Sequence, residues 1–171
     1  MALRTIIQEG DPTLAKPGRE VTDFDDRLHT LLDDMWETLF DANGIGLAAP
    51  QVGVLRRVAL VLDCSQEPDQ TETLEEIALE LINPVILAQD GAQEGYEGCL
   101  SVPGVMGFVT RPQWVKVRAQ NRMGEWFEVE GEGLTARAIC HELDHLDGKL
   151  YTRLTAELIN AAELPEEEEC G

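Results

Sequence analysis

Positive charge is scarce in this chain. Thirteen Lys and Arg stand against 33 Asp and Glu in 171 residues, a formal net charge of −20. Such a surface repels nucleic-acid phosphate, and no run of Lys and Arg offsets it, so direct nucleic-acid binding is not expected. Long apolar runs are missing as well, which excludes a transmembrane helix. The opening Met1–Gln8 has neither the apolar stretch nor the cleavage site of a signal peptide, and a cytoplasmic protein is expected. The four cysteines, Cys64, Cys99, Cys140 and Cys170, form no C-x-x-C pair. A disulfide framework is therefore not expected; metal ligation or burial fits better. What remains is an ordinary apolar content of 43% in a chain long enough for one domain with a real core.

Histidine is also rare, with three in the chain, and two of them fall in His141-Glu142-Leu143-Asp144-His145. On a helix, residues four apart share one face, so His141 and His145 can hold one metal ion together. Glu142 sits about 100° round from His141 at roughly 3.6 residues per turn. That puts a carboxylate beside the metal, where it can take a proton from water. An amphipathic helix with two chance histidines is the bland alternative.

Along the chain, Asp11-Pro12 and Lys16-Pro17-Gly18 mark turns. Thr22 or Asp23 can cap a helix that starts near Asp25. Its apolar stripe, Leu28, Leu31, Leu32, Met35, Trp36, Leu39 and Phe40, carries it to about Ala42. His29 lies on its polar side as a solvated residue. The glycines of Gly44–Gly53 let another backbone approach closely, in a loop before a strand over Arg57–Leu62. Ser65–Glu76 is polar and acidic and reads as a surface loop. Residues 74–82 fit a helix or a strand, and Asn83-Pro84 breaks either one. Glycines flank Cys99 and leave it uncrowded. Trp114–Ala119 alternates as a strand, Asn121–Gly124 turns, and Glu125–Val129 returns. Gly131 and Gly133 end the sheet. Leu134 or Thr135 opens the H-E-x-x-H helix and Gly148 closes it. A last helix is expected over Ala156–Leu164. Residues 1–164 read as one catalytic domain, and 165–171, with Glu166–Glu169, as a disordered acidic tail.

A catalytic metal usually has three protein ligands and an open position, so two histidines need a partner. Cys99, Cys140, Glu163 and Asp147 are the candidates. Cys140 points away from His141 into the core, and Asp147 is poorly aimed. Glu163 lies eighteen residues after His145, a spacing similar to that of thermolysin-like proteases. The metzincin pattern is absent.

Three stretches together resemble the peptide deformylases: Gly44-Ile45-Gly46-Leu47-Ala48-Ala49-Pro50-Gln51, Glu97-Gly98-Cys99-Leu100-Ser101, and His141-Glu142-Leu143-Asp144-His145. They stand in the family's order and at similar spacing. The match extends to Leu81-Ile82-Asn83-Pro84 and Leu146-Asp147-Gly148 and covers most of residues 1–155. The resemblance implies a single-domain α+β fold, with antiparallel sheets around a central H-E-x-x-H helix and further helices towards each terminus. It implies that Cys99 joins His141 and His145 on one divalent metal, Fe²⁺ in typical relatives, with Zn²⁺, Ni²⁺ or Co²⁺ tolerated. It also implies removal of the formyl group from N-formylmethionyl nascent peptides, with formate as product.

The same resemblance assigns roles. Glu142 is the proton acceptor, and the side-chain amide of Gln51 and the backbone N–H of Leu100 receive the charge on the formyl oxygen. From the residues themselves, the small stretch Gly44, Ile45, Gly46 and Leu47 can run beside an extended substrate, and the apolar Ile45, Leu134 and Ala138 are expected to line the methionine pocket. Glu97 is either a carboxylate orienting a ligating histidine or a surface acid paired with Arg111. Met106 stands where some relatives carry a basic residue near the substrate. Some relatives end in a basic helix that docks on the ribosome; here a transient ribosome contact is expected to avoid the acidic end. Two rival readings remain, a thermolysin-like endopeptidase using Glu163 and a binding domain stapled by structural zinc.

Overall fold

The structure is a computed structural model and describes residues 2–63, 77–155 and 157–163. Helix α1 spans Asp26–Asp41 and β1 Gly46–Ala48; β2 is Val58–Leu62, β3 Ala78–Asp90, β4 Gln93–Cys99 and β5 Val102–Arg111. Then come β6 at Trp114–Gln120, β7 at Trp126–Glu132, helix α2 at Leu134–Leu146 and β8 at Leu158–Asn160. Among the described residues these strands pair antiparallel, in a five-stranded sheet ordered β1-β2-β3-β6-β7 and a three-stranded sheet ordered β4-β5-β8. This is the α+β arrangement that the sequence implies. No helix among the described residues is long and apolar enough to cross a membrane.

Period-two alternation places the helices on opposite faces of the large sheet. Val58 and Leu60 turn towards Leu28, Leu31, Leu32, Met35 and Leu39 of α1. Ala59 and Val61 turn the other way, with Val115, Val117 and Ala119, towards Ile139, Leu143 and Leu146 of α2. The H-E-x-x-H helix is therefore almost wholly buried, with Thr135 through Leu143 each largely covered. Gly131 remains inside β7, and a Cβ there would lie 2.9 Å from Thr135, so the glycine lets α2 cross close to the strand. The sheet ends at Gly133, in the left-handed region at φ 60°.

Four local expectations need correction. The cap of α1 is Asp25, whose carboxylate accepts from the Leu28 N–H at 3.2 Å, rather than Thr22 or Asp23. Asn83-Pro84 does not break β3. A register shift absorbs both residues, with Asn83 at φ 51°. The proline is tolerated because β2 pairs no further than Ile82, which leaves that edge needing no N–H. Asn83 instead clamps the N-terminal segment, exchanging two 2.8 Å hydrogen bonds with the Val21 backbone. Among the described residues of the expected helix over 156–164, none is α-helical. Leu158–Asn160 is a strand on β5, followed by a 3-10 turn at Ala161–Glu163. Finally, β5 went unrecognised, because its glycines and proline hide the alternation. The stretch Ser65–Glu76 and the tail 165–171 lie outside the described residues.

Candidate active site

Three elements converge. Helix α2 presents His141 and His145, four residues apart, with their Nε2 atoms 3.3 Å from each other. The end of β4 brings Cys99 Sγ to 3.3 Å from His145 Nε2. The three ligand atoms all lie within 4.8 Å of one another. The turn after β1 carries Gln51, 1% exposed, whose Nε2 is 3.6 Å from Cys99 Sγ and 3.1 Å from Ser101 Oγ. Its Oε1 accepts from the Ala48 N–H at 2.9 Å, which fixes which end of the amide faces the sulfur. The Ser101 N–H also donates to Cys99 Sγ, at 3.4 Å. Two N–H groups, from Gln51 and Ser101, thus converge on one sulfur.

His141 is oriented from behind. Glu97 Oε2 lies 2.7 Å from His141 Nδ1, so Nδ1–H donates to the carboxylate and Nε2 is the ring atom turned towards His145. Burial on its own raises the Glu97 carboxyl, but hydrogen bonds and charge from His141 and Arg111 outweigh it and hold it at about 2. Both sequence readings of Glu97 therefore contain part of the answer. It orients His141 and is paired with Arg111 at 2.6 Å, but it is a buried acid, not a surface one. Burial, then the neighbouring His141, push His145 down to about 3, which keeps that imidazole neutral. Tyr151, 1% exposed, lays its ring against His141 with centroids 5.9 Å apart.

Glu142 is fully enclosed. Burial pushes its carboxyl up to about 7, and its Oε1 has no hydrogen-bond partner among the described residues. A buried carboxylate oxygen without a partner costs free energy unless something bound in the site takes it up. A thiolate and two imidazoles are donors that suit a late first-row divalent cation. The residues present thus fit a bound metal.

The remaining candidates fall elsewhere. Cys140 is buried on the far side of α2, where burial lifts its thiol to about 11. Asp147 is engaged by Arg57 at 3.0 Å. Glu163 belongs to the final 3-10 turn, beyond β8. His29 is half-buried and bonds the Arg122 carbonyl at 2.8 Å. Gly46 and Leu47 are buried in β1, Gly44 stands between Leu39 and Leu100, and Ile45 packs against the cluster that contains Ala138. Leu134 is half-buried at the start of α2. Leu100 leans on the α1 cluster, and Met106 covers Gly98, where a Cβ would lie 3.3 Å from its Cγ. Sequence reasoning missed Arg137, Tyr151 and the role of Arg111. Their only signal was a buried-looking arginine one turn before His141.

Antiparallel sheets wrapped on an H-E-x-x-H helix, with a sulfur and two imidazoles converging beside a carboxylate, define a metal-dependent hydrolase. The sequence profile described as "Polypeptide deformylase" matches residues 3–159. The peptide deformylase of Agathobacter rectalis is 54% identical over 88% of this chain and 89% of its own. That of Lachnoclostridium phytofermentans is 49% identical over 99% of each. The crystal structure of a peptide deformylase from Legionella pneumophila superposes with a TM-score of 0.82 at 41% identity, covering 91% of this chain and 87% of that one. The chain belongs to the peptide deformylase family. It is a hydrolase that removes the N-formyl group from N-formylmethionine of newly made polypeptides and releases formate.

Proposed function

We propose that Cys99, His141 and His145 hold one divalent cation, iron(II) in the working enzyme, and that Glu142 is the proton carrier of the deformylation. The observation that carries this reading is the Sγ–Nε2–Nε2 triangle, within 4.8 Å, beside the buried carboxylate of Glu142. The bound cation supplies Lewis acidity towards water and the formyl oxygen. Glu142 accepts the proton of the attacking water and then delivers it to the departing amine. The Nε2–H of Gln51 and the backbone N–H of Leu100 receive the negative charge that grows on the formyl oxygen.

The substrate lies along β1. Among the described residues that strand pairs with β2 on one side only, so its other edge can take an extended peptide as a further strand beside Gly44–Leu47. Ile45, Leu134 and Ala138 line the methionine pocket. The work is done in the cytoplasm on emerging chains, and the acidic end is not the surface that meets the ribosome. Residues 1–164 form the catalytic unit and 165–171 an appendage to it.

Metal analysis of anaerobically purified protein, joined to formate release from formyl-Met-Ala, tests the reading. About one iron per chain with formate release is expected, and loss of both in Cys99→Ala but not in Glu163→Ala. Stoichiometric zinc with full, air-stable activity would overturn the iron assignment. Loss of activity in Glu163→Ala with activity retained in Cys99→Ala would return the site to the thermolysin-like arrangement.

A further inference from the structure

The two elements that carry the ligands do not share a hydrophobic core. Helix α2 belongs to the cluster of Ala59, Val61, Val115 and Val117. Cys99 belongs to a small separate cluster with Val102, Val105, Val109 and Tyr151. The seam between them is crossed by buried charge. Arg111 on β5 holds Glu97 through Nε at 3.0 Å and Nη2 at 2.6 Å, and reaches Asp144 on α2 with Nη1 at 2.7 Å. Arg137 crosses in the other direction, from α2 to the small sheet. Its Nη1 donates to Glu97 Oε1 at 3.2 Å and to the Gly95 carbonyl at 3.5 Å, and its Nη2 donates to the Val109 carbonyl at 3.1 Å. Gly95 and Val109 are cross-strand partners of β4 and β5. The guanidinium thus grips one rung of the small sheet, four residues before Cys99. Arg137 itself stands four residues before His141, on the same helix face.

From this we infer that Arg137 is a positioning residue, which sets the distance between the strand that delivers the Cys99 thiolate and the helix that delivers the two imidazoles. The physical reason is stiffness. Apolar contacts across a seam are non-directional and let one layer slide on another. A planar fork bonded to a carboxylate and two carbonyls fixes both distance and angle. Arg111 cannot replace it, since Arg111 holds Glu97 and Asp144 but not the Gly95–Val109 rung. The cost of burying Arg137, 6% exposed, is met by those three acceptors. The inference rests on the ligand set proposed above.

The test uses full-length protein loaded with cobalt(II), whose thiolate charge-transfer absorption reports the Cys99 bond and whose titration gives the affinity. Partners behind the ligands are worth about 10–100-fold in metal affinity. In Arg137→Met we expect a loss in that range, a weaker thiolate band, and a kcat that falls while KM for formyl-Met-Ala stays in place. Arg137→Lys restores the ion pair with Glu97 but not the grip on both carbonyls, so its affinity should lie between the two. A merely structural role would lower Tm and leave the absorption and the affinity of the folded protein unmoved. Wild-type affinity and band in a folded Arg137→Met overturn the inference. Where Met does not fold, Arg137→Gln serves, and wild-type behaviour there overturns it equally. Cys99→Ser is the control for the ligand set: a thiolate band that survives in it sinks the ligand reading, whatever Arg137 does.

Discussion

Gly46 stands against Glu142 so closely that a Cβ on it would lie 2.5 Å from Oε2 and 2.9 Å from Cγ of the carboxylate. The edge strand proposed to receive the substrate and the residue proposed to move the proton therefore touch with no side chain between them. Gly46→Ala should force Glu142 aside. A misplacement of about 1 Å can cost about 10²-fold in rate. The expected result is a kcat lowered by roughly that factor with metal content unchanged, checked by formate release and metal analysis together. A kcat at the wild-type level would mean that the contact is not part of the catalytic geometry.

Glu142→Gln keeps the shape of the side chain and removes the proton acceptor. General-base catalysis is worth about 10²–10⁴-fold, and kcat should fall by at least that much. Since neither ligand nor fold is touched, metal stoichiometry should hold. Near-normal turnover in the metal-loaded variant would take the role away from Glu142.

The acid side of the pH profile reports the same carboxyl. Burial pushes Glu142 up to about 7, and a cation in the adjacent site pulls it back down, because positive charge favours the ionised form. A base works deprotonated, so kcat/KM should fall as pH drops through this pKa. The limb should therefore lie below about 7 in the metal-loaded enzyme. A limb above that value, or one unchanged in Glu142→Asp, would assign it to another group.

Gln51→Leu removes the amide that faces the sulfur and the proposed oxyanion. One such donor is worth roughly 3 to 4 kcal/mol in a protease precedent. A large loss of kcat with little change in KM is expected from steady-state kinetics on formyl-Met-Ala. Weakened binding with intact kcat would make Gln51 a substrate anchor instead.

Away from the site, Asp34 ties the N-terminal segment to α1. It accepts from the Ala2 N–H at 2.7 Å and pairs with Arg4 at 2.9 Å. The hydrogen bond from Ala2 lowers its carboxyl most; burial opposes this, and Arg4 lowers it further. A carboxyl depressed in the folded state stabilises above its unfolded pKa, about 3.9, and that stability is lost as pH falls through the folded value. Asp34→Asn should lower Tm at neutral pH and flatten its decline below about pH 4. Parallel acid limbs for variant and wild type, followed by calorimetry, would dismiss the linkage.

Helix α1, the hairpin of β6 and β7, and α2 were legible in the sequence, because each writes its periodicity locally. The stripe Leu28–Leu39 and the alternation Val115-Val117-Ala119 need no knowledge of the partner face. The H-E-x-x-H spacing fixed the two histidines and the carboxylate for the same reason, since a helix converts a spacing of four directly into proximity. Other features were not local. Asn83-Pro84 reads as a break, and only the early end of β2 makes an uninterrupted strand tolerable there. Leu158–Asn160 lacks its own signal and becomes a strand because β5 offers an edge. Cys99 stood among four candidates by spacing, and its choice as third ligand came from family likeness; the folded chain brings its sulfur across from another sheet, 3.3 Å from His145. The buried lattice of Glu97, Arg111, Arg137 and Asp144 was least visible of all. Buried charge is stable only when its partners are in place, and Arg111 and Arg137 lie 14 and 40 residues from Glu97, while Asp144 lies 33 residues from Arg111. Sequence thus singled out the residues proposed to carry the chemistry of this protein, through short-range periodicity, motif spacing and, for Cys99, family likeness. Tertiary structure alone decided how far apart the thiolate and the imidazoles stand, because that distance is set by long-range bonds across a seam that no local pattern encodes.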